Sequence, residues 1–180
     1  MKKILFLVAF AAFTATTASA QWSLRYQGDV EVGYSISVGK TAELAHTLLD
    51  TNFDRINIHT AHGVRFNEYL FAGLGTGIDI YRGGDLGLPI YLALKGYWPV
   101  TAKVSPYLGL DLGGSIGLSE YMGNGLLCVP QLGVAFNVGQ SGNAITFACG
   151  FTIQKWNYKE GILKVGYNTN AVTLKVGFQF

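Results

Sequence analysis

Charge is what this sequence has least of. Asp, Glu, Lys and Arg make up 13% of its 180 residues, about half of the ~25% usual in soluble domains. Thirteen basic residues stand against eleven acidic ones, and two of the basic ones, Lys2 and Lys3, lie in the first twenty positions. Beyond residue 20 the formal charge is therefore zero. A nucleic-acid binder carries a basic excess gathered on one face, so that class is excluded. Long apolar runs are missing as well. Nothing after residue 20 is an unbroken apolar stretch of the roughly 20 residues that a membrane-spanning helix needs. Cysteine is limited to Cys128 and Cys149.

What is present begins with an export signal. Lys2 and Lys3 form a positive start, Ile4 to Phe13 an apolar stretch too short to span a bilayer, and Thr17-Ala18-Ser19-Ala20 an A-x-A-like cleavage site. Residues 1–20 are expected to be removed, leaving a single domain over 21–180 that starts at Gln21. Low charge, high apolarity and no spanning helix leave two architectures. One is a soluble β-protein with a very large core, the other a transmembrane barrel.

Apolar residues recur with period two, the strand period. In a first segment Leu24, Tyr26, Val30, Val32, Tyr34, Ile36 and Val38 share one face, and Arg25, Gln27, Asp29, Glu31, Ser35 and Ser37 the other. The pattern returns over about 55–67, 69–81, 87–98, 105–117, 126–138, 144–156 and 171–180. Eight segments let an antiparallel barrel close without a free edge. Connections after the second, fourth and sixth segments are short. Those after the odd segments read as longer on the whole, the last spanning Asn157 to Asn170, as expected for periplasmic and extracellular ends. Helical character over Thr41 to Leu49 suggests a short surface helix in the first long loop. The fold class expected is all-β, an eight-stranded antiparallel up-and-down transmembrane barrel.

The polar face decides between lipid and water outside. In a soluble barrel it would meet solvent and carry many Lys and Glu. Here it carries Gly, Ser, Thr, Asn and Gln with a few charges of both signs, as a narrow lumen requires. In lipid, only a closed barrel or a helix satisfies every backbone group. Phe66, Trp98, Phe136, Phe178 and Phe180 lie on the apolar face at the ends of even-numbered segments, which share one rim. They read as an interfacial girdle.

The terminal stretch Val172-Thr173-Leu174-Lys175-Val176-Gly177-Phe178-Gln179-Phe180 alternates and ends in Phe. With His62-Gly63-Val64-Arg65-Phe66-Asn67, Gly73-Leu74-Gly75-Thr76-Gly77 and Ser105-Pro106-Tyr107, it resembles the small outer-membrane β-barrel proteins of the OmpA/OmpX-like type, including porin-like members. The resemblance covers essentially residues 21–180. It implies a bacterial outer-membrane location. It also implies that Val172, Leu174, Val176, Phe178 and Phe180 form a C-terminal signal read by the barrel-assembly machinery. Expected partners are therefore outer-membrane lipid and that machinery, with an unidentified surface ligand left open and a monomeric state expected.

Motifs for chemistry are weak. Val38-Gly39-Lys40-Thr41 ends like a phosphate-binding loop, but the Gly required six residues before the Lys is Tyr34. Gly73, Gly75 and Gly77 imitate a dinucleotide loop yet alternate at strand period, so they read as small lumen residues. His59 and His62, three apart, fall on opposite faces of a strand and cannot hold one metal together; His46 lies in the first loop. No cofactor or metal is expected. Some small outer-membrane barrels modify lipid A with a Ser, a His and an acid near the outer rim, but no His-x-Ser occurs on a late strand. If Gly139 to Asn143 is the hairpin turn, the numbers of directly opposite residues total about 281, whereas 128 and 149 total 277. That offset argues for two lipid-facing thiols rather than a disulfide.

One constellation stands out. By register Arg25, Arg55, Arg65, Lys95 and Lys175 face inward, as do Asp29, Glu31, Asp79 and Asp111. Five cations and four carboxylates confined in a lumen must pair, because an unpaired buried ion costs several kcal/mol. Two roles suit such a network: a plug that stabilises the barrel, or a gate for small ions. Three functions stay open at this point. The first is a non-enzymatic structural or surface-interaction protein acting through its extracellular loops, the second a narrow pore, the third a lipid A-modifying enzyme.

Overall fold

The structure is a computed structural model and describes residues 24–41, 53–119, 123–138, 142–160 and 163–180. The export signal at 1–20 and nearly all of the expected helical stretch, with His46, lie outside these residues. Eight strands follow one another: β1 Arg25–Thr41, β2 Arg55–Arg65, β3 Leu70–Tyr81, β4 Leu86–Tyr97, β5 Val104–Gly117, β6 Asn124–Val138, β7 Asn143–Glu160 and β8 Leu163–Gln179. Each pairs antiparallel with its neighbours in sequence, and β1 pairs with β8, so the sheet is a closed barrel. No free edge is left around its waist. No helix is found among the described residues.

The barrel is inside-out relative to a soluble protein. Leu74, Leu132, Leu174 and Val176 are exposed on the outer face, while Asp29, Asp79, Lys95 and Gln154 are buried inside. The period-two pattern is the cause, since successive side chains alternate between the two surfaces. An outer face this apolar is stable against lipid and not against water. Trp98, Phe136, Phe178 and Phe180 are exposed at one rim and Phe66 is half-buried there; Tyr26 and Tyr69 join them.

Glycine placement fits a narrow lumen. Tyr91 lies directly across from Gly75, and Tyr107 from Gly133. In each case the phenol ring fills the space in which a Cβ would stand. The bulk of one strand thus uses the vacancy of the next, the requirement that Gly73 to Gly77 suggested. Pro89 leaves a mark too. Lacking an N–H, it interrupts the β3–β4 ladder between Thr76↔Ile90 and Asp79↔Gly87, and the Thr76 hydroxyl donates to the Pro89 carbonyl at 3.0 Å.

Two sequence expectations need correction. The segment from Asn157 to Asn170 is not a loop: β7 and β8 are 18 and 17 residues long, and their ladder continues to Glu160↔Leu163. Nor are the connections after β3 and β5 long, for β3 ends at Tyr81 and β4 starts at Leu86, and β5 ends at Gly117 and β6 starts at Asn124. By the strand bounds the connection from Thr41 of β1 to Arg55 of β2 is the longest. Strand pairing satisfies every backbone N–H and C=O it reaches, so the ladder between β7 and β8 runs on where a loop was expected.

Candidate functional site in the barrel lumen

Seven of the nine residues singled out by register are buried in the lumen: Asp29, Glu31, Arg55, Asp79, Lys95, Asp111 and Lys175. The other two lie at one mouth, where Arg65 Nη1 donates to Gln27 Oε1 at 3.5 Å. Arg25 is exposed at the rim, and its cross-strand partner Arg65 is half-buried at the same mouth. Arg65 stacks over the Tyr97 ring at 4.2 Å and donates to the carbonyls of Asn67 and Glu68 at 3.2 and 2.7 Å. Strand parity points both inward, but they sit at the end of β1 and β2, where the lumen opens to solvent.

The buried residues form two groups. In the first, two lysines make four ion pairs, three of which reach across the lumen between strands that are not neighbours. Lys95 on β4 meets Asp29 at 2.9 Å and Glu31 at 2.8 Å, both on β1. Lys175 on β8 meets Glu31 and Asp111, the latter on β5, each at 3.2 Å. The order Asp29–Lys95–Glu31–Lys175–Asp111 alternates in sign, and Glu31 is shared. Gln27 and Gln131 donate to the two terminal carboxylates at 3.3 and 3.4 Å. Lys95 also lies 5.5 Å from the Tyr107 ring centroid. Desolvation makes every one of these ions costly alone, so the chain holds only as a set.

The second group centres on Asp79. Its Oδ1 accepts from Asn57 Nδ2 at 2.5 Å and from His59 Nε2 at 2.9 Å, and its Oδ2 lies 3.8 Å from Arg55 Nε. Arg55 sits over Tyr81 at 5.2 Å and donates to its hydroxyl at 3.3 Å. Tyr81 packs edge-on against Trp156, with Phe53 beside them, in a buried aromatic cluster at the end of the lumen away from Arg65. Ser35 bridges Asn57 and Thr173 at 2.7 and 2.8 Å.

Among the described residues the fully buried charges thus number three fixed cations against four carboxylates, not the five against four expected from register. His59 and Arg65 stand nearest to making up the difference. His59 falls on the polar face in the sequence pattern; weighing it as a metal ligand hides its role as a partner of Asp79. Strand alternation places Gln27, Asn57 and Gln131 on the inward face, but carrying no charge they give no sign of which carboxylate each meets. Among the described residues no group of three or more metal-ligating side chains is found.

The other predicted positions are placed plainly. His62 is on the outer face, where its Nδ1 meets the Tyr26 hydroxyl at 2.6 Å and its Nε2 the Thr60 hydroxyl at 2.9 Å. Cys128 and Cys149 are free, and both lie on the lipid side. Their register totals 281, with Cys128 opposite Ile153 and Cys149 opposite Leu132. Leu174, Val176, Phe178 and Phe180 are exposed on the outer face, with Val172 half-exposed. Phe180 exchanges both backbone hydrogen bonds with Gly28 at 2.9 Å, and its ring lies over that glycine between Tyr26 and His62.

No protein-family model matches the sequence, and no curated protein sequence does. Solved structures match at the level of fold. Neisserial surface protein A is similar over 87% of this chain and 97% of its own, at TM-score 0.58 and 12% identity. The outer membrane protein OprG from Pseudomonas aeruginosa is similar over 86% and 94%, at 0.53 and 12%. AlkL, an outer membrane protein solved in lipid bilayers, is similar over 89% and 90%, at 0.53 and 11%. This chain has the fold of the small outer-membrane barrels. At such low identity the likeness is one of architecture, which is what an alternating pattern and eight strands dictate.

Proposed function

We propose that the chain is exported to the bacterial outer membrane and serves there as a non-enzymatic structural or surface-interaction protein with a closed lumen. The observation that carries this reading is the filling of the lumen. Phe71, Tyr91, Tyr97 and Tyr107 are buried inside beside the ion chain, and the cavity enclosed by the charged residues is about 10 Å³, room for one water molecule. A pore needs a continuous wet path, and a catalyst needs a cleft that admits substrate. His59, the buried histidine, is committed to Asp79, and His62 faces outward with both ring nitrogens engaged. Partner contacts are assigned to the end of the barrel at which β7 and β8 extend to Glu160 and Leu163.

Planar-bilayer recording of the refolded protein tests the closed lumen. We expect no discrete channels from the wild type, and regular unitary conductance would overturn the reading in favour of a narrow pore. Mass spectrometry of lipid A from a deletion strain tests the absence of catalysis: an unchanged profile is expected, and loss of one modification would establish an enzyme.

A further inference from the structure

The two ion groups in the lumen are separate: among the described residues, no salt bridge joins the Asp79 group to the Lys95–Lys175 chain. Between them lies the 10 Å³ cavity, whose wall includes Arg55, His59 and Asp79 from one group and Asp111 and Lys175 from the other, with Thr152. Arg55 is 3% exposed, and its Nε–H has no hydrogen-bond partner. A buried donor left unmade is costly, and more so when charged. Asp79 Oδ2 is 3.8 Å away, too far for a direct hydrogen bond. Asp79 Oδ1 is already occupied by Asn57 and His59.

We propose that this cavity is a binding site for a single water molecule that ties the two ion groups into one network. The water accepts from Arg55 Nε–H and donates one hydrogen to Asp79 Oδ2. Its second hydrogen serves the wall that carries Asp111. The ligand is neutral because the wall holds both signs: a cation would face Arg55 and Lys175, an anion Asp79 and Asp111. Size agrees, since the volume is that of about one water, and a buried water needs two to four polar partners. Polar groups beyond hydrogen-bond distance across a buried gap are commonly joined in this way. With the water in place the lumen charges form one hydrogen-bonded network between its two mouths.

The test is proton-detected solid-state NMR of the full barrel in lipid bilayers with ¹⁵N-arginine, the Arg55 Nε–H signal being assigned by its loss in Arg55→Lys. We expect magnetisation transfer from a long-lived water to that proton in the wild type. Absence of transfer to the assigned proton overturns the proposal, as does evidence of a direct Arg55–Asp79 hydrogen bond. Val129→Ile adds a methyl group to the cavity wall and should abolish the transfer while the barrel keeps its heat-modifiable gel migration. Transfer unchanged in a folded Val129→Ile barrel places the water elsewhere and likewise refutes the site. Should that variant not fold, the wild-type measurement decides alone.

Discussion

Replacing Lys95 by Met tests whether the lumen charges hold as a set. The ammonium stands 2.9 Å from Asp29 and 2.8 Å from Glu31, and all three side chains are almost fully buried. At an effective dielectric constant of about 20, each contact is worth roughly 6 kcal/mol of attraction. Desolvation of the ammonium takes back several kcal/mol. Methionine keeps most of the volume, so the change acts mainly through charge. Among the described residues it leaves Asp29 with Gln27 as its remaining side-chain donor, and Glu31 with Lys175. Removing one partner of a buried ion pair costs about 3–5 kcal/mol, because the stranded charge dominates. That is a large share of the 5–15 kcal/mol typical of a folded protein. Urea unfolding in lipid vesicles, followed by tryptophan fluorescence and by heat-modifiable migration, measures it. The double variant Lys95→Met/Asp29→Asn should be more stable than Lys95→Met alone, since it withdraws a stranded charge. A loss below about 1 kcal/mol for Lys95→Met, or no recovery in the double variant, would refute the reasoning.

Leu132→Arg, on the outer face opposite Cys149, should destabilise the vesicle-embedded barrel by about 2–4 kcal/mol if it lies near the bilayer midplane, read as a shift of the urea midpoint. Gly75→Val drives two methyl groups against the Tyr91 ring and should cost about 1–3 kcal/mol by overpacking, with Gly75→Val/Tyr91→Ala partly restored. Cys128 and Cys149 should both react with a membrane-permeant alkylating reagent and give no mobility difference between reducing and non-reducing gels. Four residues of offset place them roughly 13 Å apart along the strands, beyond the ~7 Å reach of a disulfide. A bridged species would disprove the register.

Much of this barrel is legible in one sequence because a strand's alternation is a local property. Ile56-Asn57-Ile58-His59 sorts itself into outward and inward residues with no knowledge of any other strand. A run of such segments with one face poor in charge then leaves lipid as the only stable environment for the other. The turn-forming composition of 139–143 implies a β6–β7 hairpin there, and the directly opposite residues of the two strands total 281, as that composition implies. Turn composition misled at Asn157 to Asn170, where Gly and Asn suggest a loop but pairing between β7 and β8 outweighs their preference.

Tertiary structure decided everything that depends on distances across the lumen. Parity places Arg25 and Lys95 on the same inward face, but only closure shows that one ends at an open mouth while the other spans from β4 to β1. Parity also places His59 inside without saying that Asp79 waits on the neighbouring strand at hydrogen-bond distance. The unpaired Arg55 Nε–H and the one-water cavity beside it are products of packing eight strands at once. A sequence specifies which face each residue joins, strand by strand. Which inward charges meet depends on the stagger of the closed barrel, and that is a property of all eight strands together.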